Sequence, residues 1–229
     1  MPQGKITEEF MLGLFNLKSI IISVPITLIA LTFHEVAHGW VSGKLGDPTP
    51  ERSGRMTLNP MAHLDLYGTL LMILTGFGWA KPVVVNPMYY KDRKKGMALV
   101  GIAGPVMNLL LAFAGVLVFG VIALIGVKLG AKSGFMNTLS YIAQLFVVRN
   151  LGFAVFNLIP IPPLDGSRVV SMFLPDNAYY KLMSLERYSM ILIMLLALTG
   201  VFDTVIGTGV SVLYRGMVGI VGRLINFIV

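Results

Sequence analysis

The chemistry in this chain is concentrated in five consecutive residues, His34-Glu35-Val36-Ala37-His38. Residues four apart share one face of an α-helix, so both imidazoles can converge on a single metal ion. Glu35 stands beside them, placed to accept a proton from a metal-bound water. This is the His-Glu-x-x-His arrangement of zinc hydrolases. The pentapeptide alone recurs by chance, but its setting here is unusual. It lies in the run Ser19–Gly43, where Glu35 is the only formally charged residue. An ionisable side chain at membrane depth costs several kcal/mol unless it is paired, ligated or wetted. Two of the three histidines in the chain sit in this one motif, and zinc binding gives all three groups a common purpose.

A catalytic zinc normally takes three protein ligands and a water, so a third ligand must come from elsewhere. His63 is the remaining histidine, but beside Asn59 and Pro60 it has a polar setting that suits a loop or rim role. Asp165 is the stronger candidate, because it closes the segment Asn157-Leu-Ile-Pro-Ile-Pro-Pro-Leu-Asp165-Gly166 directly after a long apolar stretch. Asp-Gly is also a common turn pair, so a capping role fits the same residue. Asn108 places an amide in a segment with no formal charge, where an unmatched polar group is costly. It either bridges helices or serves the active site. Gly101 and Gly104, in the same segment, have the spacing of small residues that let helices pack closely.

The elements that carry these residues are membrane helices. The chain has 229 residues, 55% hydrophobic and only 13% charged, with a mean hydropathy of +0.79. A soluble domain carries about 25% charged residues. There is no cysteine, which excludes disulfide scaffolds, thiol nucleophiles and cysteine-held metal centres. The net charge of +7 falls between apolar runs, as in membrane-adjacent loops, and no nucleic-acid recognition pattern accompanies it. No cleavable signal peptide is expected at the N-terminus, where Glu8 and Glu9 precede the first apolar run.

Five segments are candidate crossings. Ser19–Gly43 is long enough for a hydrocarbon core of about 30 Å, with a possible kink at Pro25. Gly96–Val127 carries no Asp, Glu, Lys or Arg, and is longer than one crossing needs. It is therefore long, tilted, or broken near Gly101, Gly104 and Pro105. A third helix is expected over about Asn137–Leu158, a fourth over Tyr188–Phe202, and a fifth over Thr204–Val229, partly in the interface. Arg215 and Arg223 of that last segment are expected to anchor its ends at lipid headgroups. Tyr67–Trp79 is too short to cross and suits a re-entrant segment, followed by Lys81–Asn86 as an extended strand or loop. Basic residues concentrate between Lys44 and Lys95, which places that region in the cytoplasm and the N-terminus outside. His34, about 22 Å into its helix, then lies nearer the cytosolic face.

Taken together in chain order, three motifs resemble the site-2 protease family of intramembrane zinc metalloproteases. His34–His38 is similar to the family's metal-binding helix, Gly104-Pro105-Val106-Met107-Asn108 to its central helix motif, and Asn157–Gly166 to its Asn-x-x-Pro…Leu-Asp-Gly motif. The resemblance implies an all-α polytopic membrane protein whose helical core includes a short re-entrant or β-like segment. It implies a single transmembrane metalloprotease domain over 1–229, with core motifs at 34–166 and further membrane segments at 186–229. It further implies that His34, His38 and Asp165 bind one catalytic zinc and that Glu35 activates the water. Asn108 would hold substrate or stabilise the oxyanion, and Asn157 would make a secondary polar contact. Gly78–Pro87 resembles a segment of the compact prokaryotic branch and would guide substrate. The PDZ and CBS domains of some relatives have no counterpart here. Membrane-spanning proteins would be the substrates, in the plane of the bilayer, with no role for nucleic acid. A metal transporter using the same His/Asp site is the alternative, and it gives Glu35 no necessary task.

Overall fold

A computed structural model describes residues 17–68, 70, 81–128 and 134–228. In a bilayer every backbone N–H and C=O must find its partner within the protein, which leaves α-helix as the only option for apolar segments of this kind. The long helices are α1 (Leu17–Lys44), α3 (Arg93–Lys128), α4 (Gly134–Asn157) and α8 (Val201–Ile228). Shorter ones are α2 (Thr49–Arg52), α5 (Asp165–Ser171), α6 (Asp176–Ser184) and α7 (Ser189–Leu198). Among the described residues four helices are long and apolar enough to cross a membrane: Ile21–Lys44, Arg93–Gly126, Gly134–Asn157 and Val201–Ile225. The chain is an all-helical, multi-pass membrane protein.

The expected segments compare closely at first. Pro25 lies within the continuous α1. α3 is one unbroken helix of 36 residues that carries Pro105 inside it, so the long alternative holds and the broken one does not. The C-terminal region departs from expectation. Tyr188–Phe202 is not a crossing. Its α-helix, α7, has 10 residues, about 15 Å of length against a core of about 30 Å. Gly200 ends it in the left-handed region at φ +71, a conformation glycine adopts without steric cost. The chain then turns into α8, 28 residues long, which is long and apolar enough to cross on its own. Arg215 stands halfway along α8, not at an end as an anchor would. Most of the proposed re-entrant run lies outside the described residues, and Lys81–Asn86 has neither helix nor strand, which leaves the loop alternative.

The core forms where α3, α4 and α8 meet, around Ala112, Val116, Val147, Leu151 and Val221. These side chains sit on one face of each helix, so burying them fixes the rotation of all three. A second cluster of Leu164, Ile193 and Phe202 ties α7 and the start of α8 to the proline-rich loop after α4. Prolines cannot continue α4, since they lack the N–H its ladder needs. The loop instead turns the chain back so that α5 begins at Asp165. Gly166 makes that turn possible, because a Cβ there would collide with the carbonyl of Leu158. Replacing Gly166 with Ala is expected to lower thermal stability, and a melting temperature equal to wild type would show that the loop can yield.

Candidate active site

α1 presents His34 and His38 on one face, and α5 brings the carboxylate of Asp165 to them from 131 positions away in sequence. All three are buried, at 4%, 5% and 6% exposure. Asp165 Oδ2 lies 3.1 Å from Nε2 of each histidine. Two ligand atoms tetrahedrally placed about 2.0–2.1 Å from one ion are about 3.3 Å apart, so the spacing fits a single zinc-sized ion. The tautomers fit as well. His34 Nδ1–H donates to Asn108 Oδ1 at 2.6 Å and His38 Nδ1–H donates to the Val100 carbonyl at 2.6 Å. That leaves both Nε2 lone pairs directed at the same point, and such outer hydrogen bonds are how ligating imidazoles are usually oriented. Among the described residues these three form the one group able to hold a metal ion.

The second carboxylate oxygen of Asp165, Oδ1, lies 3.7 Å from the Arg168 guanidinium. Glu35, half-buried, accepts the Val83 N–H on Oε2 at 2.8 Å and makes no other hydrogen bond among the described residues.

The close approach depends on α3. A Cβ on Gly104 would lie 2.5 Å from both His34 Cε1 and His38 Nε2. A Cβ on Gly101 would lie 3.0 Å from the Asp165 carbonyl oxygen. These glycines do more than bring helices together, since Gly104 forms one wall of the donor set. Asn108, one turn further, has every hydrogen-bonding atom engaged: besides His34, it donates to the Ala30 carbonyl at 3.1 Å and to Asn150 Oδ1 at 3.0 Å. Replacing Asn108 with Ala is expected to lower zinc affinity roughly tenfold to a hundredfold, measured by competition with a chromogenic chelator. Affinity equal to wild type would show that His34 needs no help from it.

Other expected residues lie elsewhere. Asn157 donates to the Phe153 carbonyl in its own helix at 3.1 Å. His63 is a buried loop anchor, 2% exposed, with Nε2 on the Thr57 carbonyl at 2.9 Å. Asn150 was not singled out from the sequence, although the signal that marks Asn108, an amide inside an apolar helix, marks it equally. Val83 contributes a backbone N–H, which no residue pattern announces.

A multi-pass helical membrane protein with a buried His-His-Asp donor set and an adjacent glutamate defines the class of membrane-embedded metallohydrolases. The chain belongs to Peptidase family M50, the site-2 protease family. The family's model matches residues 118–202, which include the Asn157–Gly166 loop but not the His34–His38 motif. Three relatives, each provisionally named a zinc metalloprotease, extend the likeness. YwhC of Bacillus subtilis is 40% identical over 172 residues, covering 75% of this chain and 78% of its own. Rip2 of Mycolicibacterium smegmatis is 27% identical over 75% of this chain and 64% of its own length. MJ0611 of Methanocaldococcus jannaschii is 28% identical over 68% of this chain and 72% of its own. No solved structure matches the chain significantly.

Proposed function

We propose that the chain is a zinc-dependent endopeptidase of the cell membrane that hydrolyses peptide bonds of membrane-spanning proteins, as a step of regulated intramembrane proteolysis. The observation that carries this reading is the buried donor set of His34, His38 and Asp165 with Glu35 on the same helix turn. These three residues would hold one zinc ion, which when bound supplies Lewis acidity and brings the pKa of a water toward neutrality. Glu35 takes that water's proton on Oε1, since Oε2 already accepts the Val83 N–H, as the water oxygen bonds to the scissile carbonyl carbon, and returns it to the departing amine as the C–N bond breaks. No covalent link to the protein forms. His34 and His38 keep their Nδ1 protons on Asn108 and Val100 throughout, which holds both rings in register. Asn108 therefore serves as a positioning residue rather than an oxyanion donor, because both its amide hydrogens are engaged.

The donor set sits toward the end of α1 that carries Lys44, beside the basic 44–95 region. We place that region in the cytoplasm and the N-terminus outside. Water then reaches Glu35 from the cytosolic face, and a substrate helix must unwind locally to expose a peptide bond. The metal-transit alternative finds no support in the family or in the names of the relatives.

Purified protein, loaded with zinc in detergent, is expected to cleave members of a panel of single-span membrane proteins, with helix-breaking residues near the cut favouring cleavage. Chelation should stop the reaction and zinc should restore it. Failure of the chain to retain zinc, or cleavage that survives complete metal removal, would refute the assignment.

A further inference from the structure

One turn beyond His38, α1 carries the fully buried Ser42. Its hydroxyl donates to Asp47 Oδ2 at 2.7 Å and lies 2.7 Å from the Tyr90 hydroxyl. Asp47, itself 2% exposed, takes two more donors: the Asn86 N–H on Oδ2 at 2.6 Å and the Thr49 N–H on Oδ1 at 2.9 Å. One carboxylate thus fastens together the end of α1, the entry to α2 and the 81–90 segment. Burial opposes its charge, yet the hydrogen bonds from Thr49, Asn86 and Ser42 outweigh that and hold its pKa below the usual value. The anchor is therefore an ionised group at neutral pH.

The fastened segment leads directly to the glutamate. Val83, three residues before Asn86, is buried and gives Glu35 its one hydrogen bond among the described residues. On the other side, the Lys81 N–H donates to the His63 carbonyl at 2.7 Å. The chain around Val83 is pinned at both ends, and at the Asn86 end the pin is Asp47.

We propose that Asp47 is a positioning residue for hydrolysis, holding residues 83–86 so that the Val83 N–H fixes the Glu35 carboxylate. Its consequence for catalysis rests on the metalloprotease reading, whereas the mechanical link from Asp47 to Val83 does not. The chemistry requires a carboxylate. Oδ1 and Oδ2 both act as acceptors, and an amide supplies only one acceptor oxygen while turning an N–H donor toward another donor. Asp47→Asn therefore breaks the fastening on one side. A misplaced Glu35 still leaves the zinc ligands intact, so the expected loss falls on turnover and not on metal binding.

The test measures hydrogen exchange at the Val83 and Asn86 amides, zinc content, and kcat and KM on a cleaved membrane substrate, in wild type and Asp47→Asn. Exchange at both amides is expected to quicken at least about tenfold, the factor a charge-assisted hydrogen bond carries. The value of kcat should fall roughly tenfold to a hundredfold, with zinc content and KM retained. Ser42→Ala, which removes one donor from Oδ2, should move both readouts the same way by less, and it carries the test should Asp47→Asn not fold. Faster exchange at Asn86 alone, with Val83 exchange and kcat unchanged, would overturn the proposal and confine Asp47 to a local structural role. If wild type cleaves nothing, the protease reading fails by itself. The exchange at Val83 then still decides whether Asp47 holds the segment.

Discussion

Glu35→Gln is expected to abolish peptide cleavage while zinc stays bound. The substitution keeps the size of the side chain and keeps an oxygen to accept the Val83 N–H, so the loop at 2.8 Å has no reason to move. It removes only the capacity to take a proton. The donor set itself is untouched, because His34, His38 and Asp165 are oriented by Asn108, Val100 and one another. General-base catalysis by a positioned side chain contributes roughly a hundredfold to ten-thousandfold, and a loss in that range is predicted for kcat at matched zinc content. A rate within a few-fold of wild type, with equal zinc in both proteins, would remove Glu35 from the mechanism.

The second large effect is expected at Gly104, which has no side chain of its own to titrate or to bind a metal. A methyl there would sit 2.5 Å from His38 Nε2 and 2.6 Å from His34 Nε2, the two nitrogens that face Asp165. Contacts that short cannot persist, so either the rings turn or α3 withdraws. Withdrawal is opposed on both sides: the Val100 carbonyl, one turn before, accepts from His38, and Asn108, one turn after, is bonded to His34 and Ala30. The rings must give way, and zinc affinity should fall at least about a hundredfold, beyond what loss of an orienting hydrogen bond produces. Overpacking should also cost about 1–3 kcal/mol of stability. Gly152→Ala is the matched control, since it lies within α4 with nothing within 4 Å of the added carbon. It should leave zinc binding unchanged. Should Gly104→Ala bind zinc like wild type, α3 is softer than its contacts indicate.

Much of this site is legible in the amino-acid order, and the reason is local geometry. His34 and His38 meet because a helix repeats every 3.6 residues, and Glu35 accompanies them by adjacency. The apolar runs announce membrane helices because hydrocarbon leaves the backbone no other partner. The same logic fails where a property depends on two helices at once. Tyr188–Phe202 is as apolar as a crossing, yet Gly200 turns the chain after ten helical residues. Gly104 scans as a packing glycine in sequence and comes against both imidazoles only when α3 lies against α1.

What the sequence alone determined, then, is the membrane character, the helical class and the pair of imidazoles beside a carboxylate. These follow from hydropathy and from spacings of a few residues, which hold however the rest of the chain is arranged. The tertiary structure decided that Asp165 and not His63 lies against the two imidazoles. It also decided that Asn108 grips His34 from 74 positions away and that a backbone N–H from Val83 secures Glu35. Those contacts join segments whose separation along the chain carries no geometric information, and only the packing of α1 against α3, α4 and α5 brings them within hydrogen-bonding distance.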